Sequence, residues 1–267
     1  MNINPKQMEC KICGNESTLS FEAKILNQYQ IKYFHCKNCY FLQTEKPYWL
    51  KEAYSESINI SDTGIMVRNQ NMSQITTLII FFLFDRQKSF LDFAGGYGIL
   101  TRVMRDIGFD FYWTDKYSSN LVSRGFELSS NKKYEMATAF EAFEHFEYPL
   151  VELENILKVT DSLLFSTDLS SNEIQAPAQW WYYGLEHGQH ISFYNIKSLE
   201  YLAQKYKLNL YSNKTSIHLL TRKKISKLLF WFILKINRFG LYYLISSFLS
   251  SKTGDDMNQI VKKLKSK

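Results

Sequence analysis

Two things are missing from most of this sequence: cysteine and long uncharged apolar runs. No cysteine follows residue 39, which argues against chemistry that needs a cysteine nucleophile in the main body. A membrane-spanning helix needs about 20 apolar residues, whereas the run from Leu228 to Leu234 ends after seven, at Lys235. The first residues, MNINPKQMECKICG, are polar and do not have the pattern of a signal peptide. We therefore expect a cytoplasmic protein without a transmembrane span.

The net charge of +6 is unevenly distributed. Residues 222–267 carry 11 Lys/Arg and 2 Asp/Glu, a net +9, whereas residues 1–221 carry 21 and 24, a net −3. This balance argues against a general nucleic-acid-binding surface on the body of the protein. Residues 223–267 are predicted to form a basic amphipathic C-terminal extension. Its segment 225–249 has three candidate roles: peripheral contact with the inner face of a membrane, packing against the body, or contact with a second subunit.

All four cysteines lie in two C-x2-C pairs separated by 22 residues. Two such turns can supply the four thiolates of a closed, tetrahedral zinc site, which leaves no open position for a substrate. The alternative is a pair of disulfides or reduced structural thiols. We predict a structural zinc ion in a module over residues 1–45, held by Cys10, Cys13, Cys36 and Cys39.

Strand and helix patterns alternate through residues 46–222. Strands are predicted at 89–93, 109–114, 125–128, 135–140 and 162–166, and a final strand pair at 208–212 and 217–221. Helices are predicted at 99–107, 118–124, 150–158 and 196–205. This alternation indicates an α/β fold with a mostly parallel sheet, helices on both faces and a closing antiparallel hairpin. Residues 168–194 interrupt the pattern and are predicted to form a substrate loop.

The stretch FLDFAGGYG, residues 90–98, is a strand followed by a glycine-rich turn. Thr101 stands where a dinucleotide-binding turn has its third glycine, and no Gly-Lys-Ser/Thr follows as in a phosphate loop. The turn resembles the first motif of class I S-adenosylmethionine-dependent methyltransferases, with Ala94 in place of the first glycine. This family has a Rossmann-like seven-stranded sheet. The resemblance implies that the cofactor contacts Asp92, Ala94, Gly95, Gly96, Tyr97 and Gly98.

The resemblance continues along the chain. Asp115 ends the next strand, 23 residues after Asp92, where the family binds the ribose hydroxyls. Lys116 and Tyr117 would flank the adenine, and Ala139 and Phe140 would follow the fourth strand against the cofactor. At Gly96 and Gly98 we expect any added Cβ to intrude.

Further motifs resemble a narrower group. The segment from Thr138 to Pro149, with its Glu144-His145 pair, resembles small-molecule methyltransferases. GQHISFY and the helix after it resemble methyltransferases encoded among surface-polysaccharide genes, and several sugar methyltransferases have a four-cysteine module. The resemblance implies methyl transfer to a small or glycan acceptor, such as a sugar oxygen. Residues 138–140 lack the Asn/Asp-Pro-Pro motif of enzymes that methylate bases, which weighs against nucleic acid.

A hydroxyl acceptor needs a general base. We favour His190, then His145, with His187 as a third candidate; each could instead hydrogen-bond only loop backbone. His35 and His218 are predicted to be structural. Substrate contacts are predicted for Gln189 and for an aromatic lid that could equally be loop packing: Trp180, Trp181, Tyr182 and Tyr183.

Two other functions stay open. The zinc module and basic tail could hold RNA for methylation, with salt-sensitive binding. Alternatively, Ala94 and the short third-strand region could mark a binding or scaffold protein whose cofactor site has decayed. The sequence does not predict an oligomeric state.

Overall fold

The structure is a computed structural model that describes residues 6–55, 62–129 and 131–266. Its strands are β1 (Gln7–Glu9), β2 (Glu16–Ile25), β3 (Tyr29–Cys36), β4 (Leu42–Thr44), β5 (Ser89–Phe93), β6 (Asp110–Thr114), β7 (Met136–Ala139), β8 (Ser162–Ser166), β9 (Ser192–Phe193), β10 (Asn209–Ser212) and β11 (Ile217–Thr221). Its helices are α1 (Leu50–Ala53), α2 (Ile65–Leu83), α3 (Ile99–Ile107), α4 (Pro149–Leu157), α5 (Ile196–Lys205), α6 (Lys227–Ile236), α7 (Leu241–Ser246) and α8 (Thr253–Lys265).

The chain forms two compact units that are discontinuous in sequence. The first unit comprises Met1–Asn59, Glu141–Asn155 and Phe165–Lys223. The second comprises Ile60–Phe140, Ile156–Leu164 and Lys224–Lys267. The three-part division of the chain predicted above, at 1–45, 46–222 and 223–267, stays a prediction; residues 1–5, 56–61, 130 and 267 of it lie outside the described residues.

The first unit contains a five-stranded antiparallel sheet in the order β1-β2-β3-β4-β9. Its core contains mainly aromatic and branched side chains, including Tyr33, Trp49 and Phe193. β9 pairs with β4 although it lies about 150 residues after β4 in the chain. A local sequence pattern does not predict a pairing between such distant segments.

The α/β sheet has the strand order β10-β11-β8-β7-β5-β6 and is mixed but mostly parallel, as predicted. β5 pairs in parallel with β6 and β7, whereas β10 and β11 form the antiparallel hairpin. Every residue of β7, β8 and β11 is buried. This burial on both faces explains why apolar and polar residues do not alternate strictly along these strands. Helix α3 lies between Gly98, with φ +86°, and Gly108, with φ +126°, and thus begins and ends at left-handed glycines.

Two local predictions were wrong. Among the described residues this sheet has six strands rather than seven, because residues 125–128 form only a single bridge, Trp113 to Glu127. Residues 118–124 form no helix. Side chains there bind the backbone instead: Asn120 accepts from the Ser123 amide, and the Ser123 hydroxyl donates to the Gly98 carbonyl. Such bonds compete with the helical pattern.

The C-terminal extension is helical. Phe230 and Ile233 of α6 and Ile245 of α7 are buried, and both helices contact α2. In α8, Asp256 accepts two hydrogen bonds from the buried Arg105 of α3, at 2.8 and 2.7 Å. Over the residues that the structure describes, no helix is long and apolar enough to cross a membrane.

Candidate cofactor turn and histidine cluster

The glycine-rich turn leaves β5 through three left-handed residues. Ala94, Gly96 and Gly98 have φ angles of +56°, +53° and +86°. The Gly98 amide donates to the Gly95 carbonyl at 2.9 Å, which closes the turn before α3 begins. Ala94, the residue that replaces the family's first glycine, thus adopts a backbone conformation that glycine adopts at less energetic cost.

The space around the glycines differs from the expectation. A Cβ on Gly95 would lie 2.6 Å from Asp92 Oδ2 and 2.8 Å from Trp113 Cδ1. The packed interior of the unit therefore leaves no room for a side chain at Gly95. A Cβ on Gly98 would lie 2.8 Å from Asn120 Oδ1, as expected of a crowded position. A Cβ on Gly96 would meet nothing within 4 Å. Gly96 therefore faces open space, which fits the approach of a ligand to its backbone.

Asp92 is enclosed by the unit itself. Its carboxylate accepts hydrogen bonds from Thr101 Oγ1 at 3.1 Å and from Thr138 Oγ1 at 3.0 Å. Burial raises the pKa of Asp92 to about 7, because water no longer solvates the charged form. Neither threonine was predicted to hold Asp92, and their positions near the start of α3 and in β7 were the available signal.

Asp115 holds the turn from the adjacent strand. Its Oδ2 accepts from the Gly96 amide at 2.9 Å, and its Oδ1 accepts from the amides of Tyr117 and Ser118, each at 2.7 Å. A carboxylate has about four acceptor positions, so capacity remains for ribose hydroxyls. Asp115 and the open side of Gly96 together fit S-adenosylmethionine.

The other predicted cofactor residues occupy different environments. Tyr117 is 70% exposed, with the Lys116 ammonium 5.2 Å from its ring centre. Ala139 is buried at the end of β7, and Phe140 follows it partly exposed. Tyr97 accepts on its carbonyl from the amides of Leu121 and Val122, which ties the turn to the segment after β6.

In the first unit, Glu144, His145 and His190 form a compact cluster. One oxygen or ring nitrogen from each lies within 4.8 Å of the others. Glu144 and His145 belong to a 3-10 turn at Phe143–His145, and His190 precedes β9. The amide of Ile191 donates to the Glu144 carbonyl at 2.9 Å, which joins the two segments.

Backbone carbonyls orient both imidazole rings. His190 Nδ1 lies 2.6 Å from the Tyr182 carbonyl oxygen, and His145 Nδ1 lies 3.1 Å from the Gln189 carbonyl oxygen. A carbonyl only accepts, so the carbonyl partners assign the proton of each neutral ring to Nδ1, the tautomer that leaves the lone pair on Nε2. The Tyr54 hydroxyl also contacts His145 Nδ1, at 2.8 Å.

Burial controls the charges of this cluster. It lowers the pKa of His145 to about 4 and lowers the pKa of His190 well below its usual value, so both rings are neutral at pH 7. Burial and the charge of Glu141 raise the pKa of Glu144. Glu144 is fully buried, and neither carboxylate oxygen has a partner with good hydrogen-bond geometry among the described residues, although the Tyr182 and Thr167 hydroxyls lie close enough to lower the pKa of Glu144 against the effect of burial.

The remaining predicted residues lie around this cluster or in the core. His187 stacks edge-on to His190 at 4.8 Å and accepts from the Gln189 amide, while the Gln189 side chain donates to the Ala53 carbonyl at 2.7 Å. His218 is structural, as expected: it contacts Ser212 Oγ and the Thr167 carbonyl.

Three of the four aromatic residues of the proposed lid are core residues. Trp180, Tyr182 and Tyr183 belong to the hydrophobic cluster that contains Tyr33 and Phe193. Trp181 is 76% exposed. The packing alternative thus describes most of this segment, and only Trp181 presents its ring to solvent.

The four cysteines converge. The sulfur atoms of Cys10 and Cys39 lie 3.5 Å apart, as do those of Cys13 and Cys36, and all four lie within 4.8 Å of one another. Sulfurs bound to one zinc ion at about 2.3 Å are roughly 3.8 Å apart in a tetrahedron. All four thiols are free of disulfides, and the cluster fits a zinc ion.

Comparison with known proteins identifies the class. A methyltransferase-domain family model matches residues 67–213, more than half of the chain. This chain belongs to that family and is an S-adenosylmethionine-dependent methyltransferase. The search of curated proteins gave no match.

Several solved structures are similar at low identity. Magnesium protoporphyrin IX methyltransferase (ChlM) from Synechocystis, with bound S-adenosylhomocysteine, is 12% identical, with a TM-score of 0.43, covering 64% of this chain and 90% of that chain. The pyocyanin biosynthetic protein PhzM is 14% identical, with a TM-score of 0.45, covering 67% and 62%. An O-methyltransferase family 2 protein from Planctomyces limnophilus, in complex with apigenin, is 12% identical, with a TM-score of 0.39, covering 65% of each chain. The family assignment rests on the sequence match.

Proposed function

We propose that this methyltransferase transfers the methyl group of S-adenosylmethionine to an oxygen of a small molecule, and that the acceptor is a sugar or sugar-linked group. The observation that carries the oxygen acceptor is the pair of neutral imidazoles, His145 and His190, each with a free Nε2 lone pair. An acceptor hydroxyl loses a proton during methylation, whereas the sulfonium already activates the methyl group.

The cofactor roles fall to the glycine turn. We assign the methionine part to the open side of Gly96 and the ribose hydroxyls to Asp115, which retains acceptor capacity. Asp92 keeps the turn in shape from inside, through Thr101 and Thr138. We also assign the four-cysteine cluster a structural zinc ion, because four thiolates leave no coordination position open.

The net charge of the body of the protein supports a small acceptor. Residues 1–221 carry a net −3, and this balance does not favour the phosphate contacts that dominate affinity for nucleic acid. ChlM and the apigenin complex, among the structures named above, are methyltransferases of small molecules by their descriptions. Methylation of RNA through the zinc module and basic tail is the second candidate, favoured by the net +9 of residues 222–267.

The cofactor site is tested by calorimetry of the full-length protein with S-adenosylhomocysteine. Asp115→Ala should weaken binding about ten- to a hundredfold, because hydrogen bonds to a charged group are lost. Asp85→Ala is the matched control: Asp85 also accepts from the amide two residues later, in a turn away from the glycines. Absent binding in the wild type, or equal affinity in the Asp115 variant, would remove the assignment and favour the scaffold alternative.

The acceptor class is tested by S-adenosylhomocysteine release with a panel of free sugars, nucleotide-activated sugars and short RNAs. Turnover on sugars and its loss in His190→Gln support the proposal. Turnover confined to RNA, with salt-sensitive gel shifts, would instead establish the RNA candidate.

A further inference from the structure

The cluster of Glu144, His145 and His190 has the composition of a metal site that is separate from the four cysteines. Its three donor atoms lie within 4.8 Å of one another, and His145 Nε2 is 4.0 Å from Glu144 Oε1. Donors bound to one ion at about 2.1 Å are roughly 3 to 4 Å apart, so a small side-chain adjustment would close the set.

The histidines are oriented as ligands. In metal sites a histidine typically donates its other ring N–H to a carbonyl or carboxylate, which fixes the tautomer. Both Nδ1 atoms here have a backbone carbonyl as partner, at 3.1 Å for His145 and 2.6 Å for His190.

Glu144 is a buried carboxyl group whose hydrogen-bonding capacity is poorly used. It is 0% exposed, and its two oxygens have no partner with good hydrogen-bond geometry among the described residues. The nearby hydroxyls of Thr167 and Tyr182 hydrogen-bond each other at 3.2 Å. Burial disfavours the charged form of such a group, and coordination of a metal ion would stabilise that form.

We propose that Glu144, His145 and His190 bind a divalent transition-metal ion such as Zn²⁺, Mn²⁺, Fe²⁺ or Co²⁺. Two imidazoles and one carboxylate suit these ions, whereas Mg²⁺ and Ca²⁺ prefer oxygen ligands. Three protein ligands leave coordination positions open, which an oxygen of the acceptor can occupy. With the ion bound, coordination would use the Nε2 lone pairs of His145 and His190, and the ion instead of these lone pairs would make the acceptor hydroxyl more acidic. The metal site stands on its own geometry, and only its contact with the acceptor rests on the proposed function.

The test is a Co²⁺ titration of full-length protein whose cysteine site is loaded with zinc, followed by visible absorption and calorimetry. We expect one further equivalent of Co²⁺, with ligand-field bands but without thiolate-to-cobalt charge transfer. Glu144→Gln and His190→Gln should each weaken this binding at least tenfold. His187→Gln is the matched control, because His187 is adjacent to His190 but outside the three-ligand set.

Melting temperatures provide a second measurement that needs no acceptor. Co²⁺ should raise the melting temperature of the wild type and of His187→Gln but not that of Glu144→Gln. Without Co²⁺, Glu144→Gln should melt no lower than the wild type, because a neutral amide of the same size replaces the buried carboxyl group. Absence of the one expected Co²⁺ equivalent, charge transfer from thiolate, or equal binding by all variants would overturn the proposal. Failure to find an acceptor would not affect this result.

An independent observation concerns the C-terminal helices. Large apolar side chains of α6, α7 and the adjoining turns are exposed to solvent: Leu228 at 80%, Trp231 and Phe232 at 52%, Phe239 at 81%, Tyr243 at 68% and Phe248 at 70%. Exposed apolar surface of this extent in one segment marks an interaction surface. We call these six residues the tail surface.

The charges around the tail surface select its partner. Lys227, Lys235 and Arg238 lie in the same segment, and residues 222–267 carry a net +9. Two copies of this surface would repel each other, whereas aromatic rings and basic side chains together suit an anionic lipid surface. The geometry and charge point to peripheral binding of an anionic bilayer by the tail surface.

Sedimentation with vesicles tests this second proposal. The full-length protein should bind phosphatidylglycerol vesicles and bind neutral phosphatidylcholine vesicles far less. The double variant Lys235→Glu, Arg238→Glu should lower partitioning onto phosphatidylglycerol vesicles at least tenfold. The double variant Trp231→Ser, Phe239→Ser should lower it by a similar factor. Trp181→Ser is the control, a comparably exposed tryptophan outside the tail. Equal binding by all variants, no binding at low salt, or a dimer abolished by the same substitutions would overturn it.

Discussion

Gly95→Ala tests whether the cofactor turn is packed as tightly as its geometry indicates. The new methyl group would lie 2.6 Å from Asp92 Oδ2, 2.8 Å from Trp113 Cδ1 and 3.0 Å from Asp92 Cγ. Neither neighbour can move freely. Asp92 is held by Thr101 and Thr138, and the Trp113 indole donates to the Gly96 carbonyl at 3.0 Å.

The size of the effect follows from these restraints. An added methyl group in a packed interior destabilises the folded protein by about 1–3 kcal/mol. We expect the upper end of this range at Gly95, because hydrogen bonds hold its neighbours in place. For a chain of this size each kcal/mol lowers the melting temperature by about 2–4 °C, so Gly95→Ala should melt roughly 6–12 °C below the wild type.

Gly96→Ala is the internal comparison. Nothing lies within 4 Å of its added Cβ, and only its φ of +53° opposes the substitution, at a cost of about 1–2 kcal/mol. We expect Gly96→Ala to lose less stability but more affinity for S-adenosylhomocysteine, because we assign the ligand to the open side of Gly96. Calorimetric melting and binding titrations measure the two effects. If Gly96→Ala proves less stable than Gly95→Ala, the packing argument is wrong.

Three further predictions concern other buried groups. Asp256→Ala should lower the free energy of unfolding by about 3 kcal/mol in urea, because it leaves the buried Arg105 with Asp110 as its remaining carboxylate partner; Asp255→Ala, also in the first turn of α8, should have little effect. The pKa of Asp92 is raised to about 7 in the folded protein, so protonated Asp92 contributes stability that is fully present below pH ~4 and is lost as the pH rises towards 7. In Asp92→Asn the free energy of unfolding should fall less between pH 4 and pH 7, which unfolding curves at several pH values would measure. An equal fall in the wild type and the variant would contradict the raised pKa. Cys39→Ser should abolish the tightly bound zinc measured by mass spectrometry, and retention of a full equivalent would exclude the four-cysteine site.

Local sequence signals predicted a large part of the fold. The bounds of α3, α5, β8 and β11 agree with the predicted ranges, because each element is a strong periodic or apolar run with turn residues at its ends. Where side chains bind nearby backbone, as at Asn120 and Ser123, the helical pattern was misleading.

The candidate site was predicted unevenly. Asp115 and the glycine turn lie on one continuous stretch, so motif spacing was enough to predict a cofactor site there, and the structure adds which glycine is crowded. The histidines were individually suspected, but their convergence with Glu144 was not. His190 follows Glu144 by 46 residues, and their proximity depends on how the long segment before β9 folds.

The sequence by itself determined the class of this protein, and a strand, a glycine turn and an acidic residue at the next strand end predict its cofactor site, since these features are local. It also determined the four-cysteine cluster, because C-x2-C spacing positions each thiol pair. Only the tertiary structure decided that Trp180, Tyr182 and Tyr183 are core residues and that Glu144 is buried beside two neutral histidines. Burial and charge state depend on which distant segments pack together, and no local pattern encodes that packing.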